Sequence, residues 1–308
     1  MELKMQNTSQ ENAGRADGLP AYTHQANIIY GHKYGLALTM DRFKPLSQTN
    51  GVGIVYVLSA GWRSSELDPV LCRPYFASLL RRGYTVFTVV HGSQPKFTIP
   101  EMIADMHRAV RFIRYHAREN GIDPSRIGIT GSSAGGHLAL MMGSGGTDGD
   151  PAAQDPVDRM SSKVQAVACF YPATDFLNWG RPGELALGCE QMAKRAAVFD
   201  FHEWNTDLAK FVAVTSTSRI REICREISPI YYVSPASAPT FLMHGDHDTS
   251  VPLHQSEIML AKLKAAGVDA KLIVKIGGEH CWPDLIKDTE LLTDWFDQHV
   301  KRLPDGGK

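Results

Sequence analysis

Ile127-Gly-Ile-Thr-Gly131-Ser-Ser133-Ala-Gly-Gly-His-Leu-Ala139 is the stretch on which the reading of this chain turns. Ile127–Thr130 reads as a short buried strand and Ala134–Met142 as a helix. Between them Gly131-Ser132-Ser133-Ala134-Gly135 fits Gly-x-Ser-x-Gly. A serine at the centre of such a strand-to-helix turn is thrust out of the sheet, and a Cβ at either glycine would collide with neighbouring backbone. The turn also sets Ser133 at a helix N-terminus, where the Ala134 N–H can face a developing oxyanion. Ser132 occupies the variable position. Ser133 is therefore the candidate nucleophile.

A serine at neutral pH is a weak nucleophile and needs a base oriented by a carboxylate. On a strand–turn–helix scaffold the order along the chain is Ser, then Asp or Glu, then His. Downstream, His244-Gly-Asp-His-Asp248-Thr-Ser-Val-Pro252 follows one strand and Gly277-Gly-Glu-His280 follows the last. Both fall at C-terminal strand ends, where parallel sheets bind ligands. His280 is the candidate base and Asp248 the orienting acid. Asp246 is the alternative acid, with capping of its own turn as its other reading. Of the remaining histidines, His137 reads as packing or a surface contact and His244 as part of a turn.

Working outward, β-rich and helical stretches alternate. Ala26–Tyr30 and Leu36–Phe43 read as an opening pair of strands, followed by Val52–Leu58, Tyr84–Val90, Ile127–Thr130, Val164–Tyr171, Thr240–His244 and Lys271–Ile276. Several are continuous apolar runs, as strands buried on both faces should be. Met102, Ile103, Met106, Val110, Ile113 and Ala117 recur at helical spacing between Pro100 and Gly121. Further helices are expected at Tyr75–Arg82, around Ile258–Leu263 and over Leu285–Val300. This pattern predicts an α/β fold with a mostly parallel central sheet and helices on both faces.

About 173–237, after the sixth expected strand, the rhythm breaks. The segment is too long for a loop and carries Phe176, Trp179, Phe199, Trp204 and Phe211, so it reads as a helical insertion, either core packing or a lid or cap. Trp179 and Trp204 become candidates for the substrate pocket. Leu58-Ser59-Ala60-Gly61-Trp62, after the third strand, is the candidate oxyanion loop: the N–H of Ala60 or Gly61 would join that of Ala134, and Trp62 would line the pocket. A simple strand-closing turn is the plainer reading.

The domain plan expected is a flexible lead-in over residues 1–24 and one domain over 25–308 with the insertion. Hydrophobic residues are 43% and charged residues 21%, with a formal net charge of -1, which gives no footing for a nucleic-acid partner. The polar start lacks an apolar signal-peptide core and no apolar run is long enough to span a bilayer, so a cytoplasmic location is expected, with secretion after removal of a signal as the alternative. Five widely spaced cysteines with no CxxC pair give no zinc site or disulfide framework. Cys281, next to His280, reads either as packed or as a free thiol near the site.

With these elements in place, the chain resembles the esterase branch of the α/β-hydrolase superfamily, and bacterial acetyl and feruloyl esterase-like proteins in particular. The resemblance runs from about Tyr30 to Val300. It rests on Gly131-Ser-Ser-Ala-Gly-Gly-His-Leu-Ala139, Gly121-Ile-Asp-Pro-Ser-Arg-Ile-Gly128 and His244-Gly-x-x-Asp-x-x-Val-Pro252. It implies an ester hydrolase with a small-molecule substrate, working through an acyl-enzyme on Ser133 without metal or organic cofactor. Two stretches depart from the family. Leu58-Ser-Ala-Gly-Trp62 replaces the usual His-Gly-Gly-Gly-Trp, and Val90-His-Gly-Ser-Gln-Pro95 replaces an Asn-Tyr-Arg stretch, which makes His91 a pocket candidate or a turn residue. The alternatives are a prolyl-oligopeptidase-like peptidase or amidase and a catalytically silent binding protein on the same fold. An exposed aromatic edge in the insertion would allow a homodimer as readily as a lid.

Overall fold

The computed structural model describes residues 10–12, 19–64 and 67–301. Its strands, in chain order, are β1 (Gln10–Asn12), β2 (Tyr22–Lys33), β3 (Leu36–Pro45), β4 (Gly53–Leu58), β5 (Thr85–Val90), β6 (Ile127–Ser132), β7 (Ala166–Phe170), β8 (His202–Asn205), β9 (Lys210–Ala213), β10 (Thr240–Gly245) and β11 (Ala270–Lys275). Nine of them form one sheet in the order β1-β2-β3-β5-β4-β6-β7-β10-β11, and β8 and β9 form a separate hairpin. From β5 to β11 the neighbours run parallel, while β1 to β3 form an antiparallel edge that meets β5.

Alternation within the strands explains burial on both faces. Val55 and Val57 of β4 and Ile127 and Ile129 of β6 enter one core. Ile54 of β4 and Val86 of β5 point the opposite way into a second. The first core is covered by α1 (Ile99–Tyr115), α2 (Ala134–Gly145) and α4 (His254–Ala265), with α3 (Thr217–Glu226) packed beyond α2. The second is covered by α5 (Leu285–Phe296), whose Leu292, Trp295 and Phe296 meet Phe76 and Leu80. At the start of α1, Thr98 and Glu101 form a reciprocal capping box with Pro100 in the first turn. No helix among the described residues is long and apolar enough to cross a membrane.

Two expectations change. Of the stretch read as a flexible lead-in, residues 10–12 form β1 and pair with Tyr22–His24, where β2 begins; residues 1–9 and 13–18 lie outside the described residues. The segment 173–237 is not predominantly helical. It holds short turns, the β8–β9 hairpin and α3, its one described helix longer than a turn. Its aromatics explain why: Trp204 and Phe211 face each other across the hairpin with ring centroids 5.3 Å apart, a cross-strand pair that favours a ribbon.

Candidate active site

The site forms where β4, β6, β7, β10 and β11 end, because every parallel strand delivers its following loop to the same edge. At the end of β6 the chain turns into α2 through Ser133, whose backbone sits at φ 54 and ψ -119. A non-glycine residue holds such a conformation only where its surroundings impose it. Here the surroundings are backbone: a Cβ on Gly131 would stand 2.6 Å from the Gly135 carbonyl carbon, and one on Gly135 would stand 2.7 Å from the Val57 oxygen. The two glycines let β6, α2 and β4 close on each other, and the turn leaves Ser133 standing out of the sheet.

The loops after β10 and β11 bring the partners. The His247 N–H donates to the Gly278 carbonyl at 2.9 Å, tying the two loops together. Ser133 Oγ and His280 Nε2 are 2.9 Å apart, and His280 Nδ1 and Asp248 Oδ2 are 2.8 Å apart. Because a carboxylate can only accept, Nδ1 carries the imidazole proton and Nε2 is free to accept from the Ser133 hydroxyl. The Asp248 side chain is fully buried. Burial works against its charge, but hydrogen bonds from His244 and His280 outweigh that and hold the carboxyl well below the usual carboxylate range. Its other oxygen accepts from the Ser250 and Val251 N–H groups at 2.8 and 2.9 Å.

Asp246, the alternative acid, does not reach His280. It accepts from the Gly277 N–H at 2.7 Å and contacts His247 Nδ1 at 2.8 Å, so it caps its own turn. His244 does more than close a turn. It is buried, with Nδ1 2.7 Å from the Ser256 hydroxyl and Nε2 3.2 Å from Asp248 Oδ2. His137 is core packing: it accepts from the Trp62 indole N–H at 3.2 Å and lies 2.7 Å from the Ile227 carbonyl.

The loop after β4 corrects one assignment. The Ala60 N–H donates to the Arg63 carbonyl at 2.9 Å and is spent inside the turn. Gly61 and Trp62 follow with φ values of 56° and 61°, so the backbone turns over at this point. Among the described residues no acceptor engages the Gly61 N–H or the Ala134 N–H. These two remain available to an oxyanion. The loop is held from below by the stretch after β5: the Gln94 N–H donates to the Trp62 carbonyl at 3.2 Å, and the Gln94 side-chain amide donates to the Gly61 carbonyl.

A cleft of about 430 Å³ opens in front of Ser133 and His280, lined by Ser59, Ala60, Gly61, Arg63, Gln94, Ser132, Tyr171, Lys194, Arg195 and Cys281. A smaller recess beside it includes Trp62, Trp179 and Met192. Trp62 and Trp179 therefore border the recess next to Ser133 and His280. His91 and Trp204 do not. His91 is buried beneath the loop with Nδ1 2.6 Å from the Gly92 carbonyl, and it lines neither space. Trp204 lies 55% exposed on the outer hairpin. Cys281 is an exposed thiol on the cleft wall, 3.3 Å from the Tyr171 hydroxyl, not a packed residue. Tyr171 in turn packs its ring on His280 with centroids 4.5 Å apart. Tyr171, Gln94 and Arg195 have no local sequence signature; they reach the site through tertiary packing. No described cluster of His, Cys, Asp and Glu side chains is arranged to hold a metal ion.

A mostly parallel sheet, a serine on a strained turn after a central strand, and an acid and a histidine delivered by the last two strands define the α/β-hydrolase fold. The chain belongs to the BD-FAE family, which it matches over residues 40–263. It is similar to two Mycobacterium tuberculosis proteins. One is named "Probable carboxylic ester hydrolase LipM", with 26% identity covering 79% of this chain and 52% of that protein. The other is "Esterase LipQ", with 29% identity covering 74% of this chain and 49% of that protein. The chain thus spans about half the length of these relatives. Among solved structures it resembles a truncated carbohydrate esterase from gut microbiota, with a TM-score of 0.72 at 23% identity over 91% of this chain and 97% of the other. It also resembles a thermophilic esterase from the Planctomycetes species Thermogutta terrifontis, with a TM-score of 0.69 at 22% identity over 91% and 94%. At these identities the structural likeness speaks to the fold.

Proposed function

We propose that this chain is a serine hydrolase that cleaves carboxylic esters, with Ser133 as nucleophile, His280 as general base and Asp248 as the orienting acid. The observation that carries the reading is the unbroken hydrogen-bonded chain from Ser133 Oγ through His280 to a buried Asp248. His280 Nε2 takes the proton as Ser133 Oγ attacks the ester carbonyl. The tetrahedral oxyanion is met by the N–H groups of Gly61 and Ala134, worth about 3–4 kcal/mol per donor in a comparable site. The imidazolium then gives its proton to the leaving alcohol. Water, deprotonated by the same nitrogen, releases the acid from the acyl-enzyme.

The names of the relatives support ester cleavage over the peptidase and silent-receptor alternatives. A cleft of about 430 Å³ is at the small end for ligand sites and supports short acyl or small aromatic or sugar esters. The test is turnover of 4-nitrophenyl esters from acetate to decanoate, with Ser133→Ala as control. The reading requires a maximum at short chains that the variant abolishes. A folded protein that turns over none of these esters, or a Ser133→Ala variant as active as the parent, would overturn it.

A further inference from the structure

Several arginines of this molecule are held among carboxylates. Arg82 meets Glu290, Asp294 and Asp297; Arg219 meets Glu203, Glu222 and Glu226; Arg108 meets Asp155 and Asp158. The chain has 32 Lys and Arg against 33 Asp and Glu, so acids are not scarce. Yet the cleft in front of Ser133 is lined by Arg63, Lys194 and Arg195 and by no carboxylate among its described residues. None of those three cations forms an ion pair among the described residues.

Arg195 is built into the site. Its Nη1 donates to the Gln191 carbonyl at 3.0 Å. Its Nε lies 2.9 Å from where a Cβ on Gly61 would stand, so the side chain covers the oxyanion loop. It also borders the recess shared with Ser133 and His280. Ser59 also lines the cleft, but it is only 6% exposed and its hydroxyl is closed off from the surface, so the donors offered to a ligand are the cations. Guanidinium and ammonium donors with no opposing negative charge make the chemical complement of an anion.

We propose that this cleft selects esters that carry a free carboxylate, which Arg63, Lys194 and Arg195 bind while Ser133 attacks the ester carbonyl. The inference rests on the hydrolytic reading above. Arginine forks match a planar carboxylate with two parallel hydrogen bonds, which is why a carboxylate fits better than a neutral sugar hydroxyl.

Two matched substrate pairs test it, one for each side of the ester. On the acyl side, mono(4-nitrophenyl) glutarate is compared with its neutral methyl ester. On the alcohol side, 4-acetoxybenzoate is compared with 4-acetoxybenzamide. In at least one pair the acid should exceed its neutral partner about tenfold in kcat/KM, mainly through KM, and the margin should shrink with added salt. Arg195→Gln, and separately Arg63→Gln and Lys194→Gln, should narrow the acid-to-neutral ratio. Equal or faster turnover of the neutral partner in both pairs would overturn the proposal, as would a ratio that all three variants leave unchanged. If no ester of either kind is turned over, the hydrolytic reading fails on its own. Calorimetric titration of Ser133→Ala with 4-acetoxybenzoate and 4-acetoxybenzamide then still decides the charge preference: tighter binding of the acid supports it, and equal binding overturns it.

Discussion

His244 Nε2 lies 3.2 Å from Asp248 Oδ2, the same oxygen that accepts the His280 Nδ1 proton at 2.8 Å. Two imidazoles therefore share one carboxylate oxygen, and one of them faces Ser133 while the other is buried. The buried one is fixed at its far nitrogen by the Ser256 hydroxyl and also lies 2.9 Å from the Val251 carbonyl. His244 holds the acid in place, and with it the angle at which His280 addresses Ser133.

His244→Gln should thus lower kcat with little change in KM. A lost hydrogen bond to a charged acceptor is worth about 1.5–3 kcal/mol, or roughly 10- to 100-fold in rate. Ester kinetics read this directly. A large rise in KM at unchanged kcat would place His244 in substrate binding instead.

Asp248→Asn should leave the fold intact and cut kcat by about 10⁴-fold, because an amide can donate to Nδ1 and favour the wrong imidazole tautomer. Circular dichroism checks the fold and stopped assays the rate. Asp246→Asn should cost little activity, since Asp246 serves the Gly277 N–H and His247 rather than His280.

Gly135→Ala should destabilise the protein by about 1–3 kcal/mol, the usual range for overpacking a closed site. The new Cβ would stand 2.7 Å from the Val57 oxygen, a backbone atom of β4 that cannot swing aside. Thermal denaturation should show a melting temperature several degrees lower. Activity should fall as well, because the same contact seats the Ser133 turn.

Stability should fall on mild acidification. Burial pushes His91, His107 and His137 from the ordinary 6.5 down to about 4, since an imidazolium is poorly solvated there. Above about pH 6.5 these histidines are neutral folded or unfolded and contribute no pH dependence. Between about 6.5 and 4 the unfolded chain binds protons that the folded chain does not, so unfolding becomes easier with each step down. Denaturation midpoints measured from pH 8 to 4 should be flat and then fall. His107→Gln removes one of the three titrations and should make the fall shallower.

Much of this molecule was legible in the chain alone, and the reasons are local. Short apolar runs rich in β-branched residues, such as Val52–Leu58, read as strands with cover on both sides, and helical spacing from Met102 to Ala117 specifies the face of α1 that packs on them. Gly131 and Gly135 announce a turn that no other residue tolerates, which singles out Ser133. Asp248 and His280 are singled out by chain order at strand ends, and the two lie 2.8 Å apart with His280 2.9 Å from Ser133.

What the sequence alone could not decide were the contacts made between distant segments. Whether Ala60 or Gly61 keeps its N–H free depends on a carbonyl three residues away folding back across the turn. Whether His91 meets substrate or lies under the loop depends on how the segment after β5 packs beneath the segment after β4. Trp179 borders the site while Trp204 stands outside it, although the two belong to one insertion and share one chemistry. Arg195 reaches the loop after β4 only because that insertion folds back over the strand ends. Periodicity and turn chemistry are set by near neighbours along the chain. The lining of a cleft is set by which remote surfaces fill each other's space, and that is settled only when the whole chain has packed.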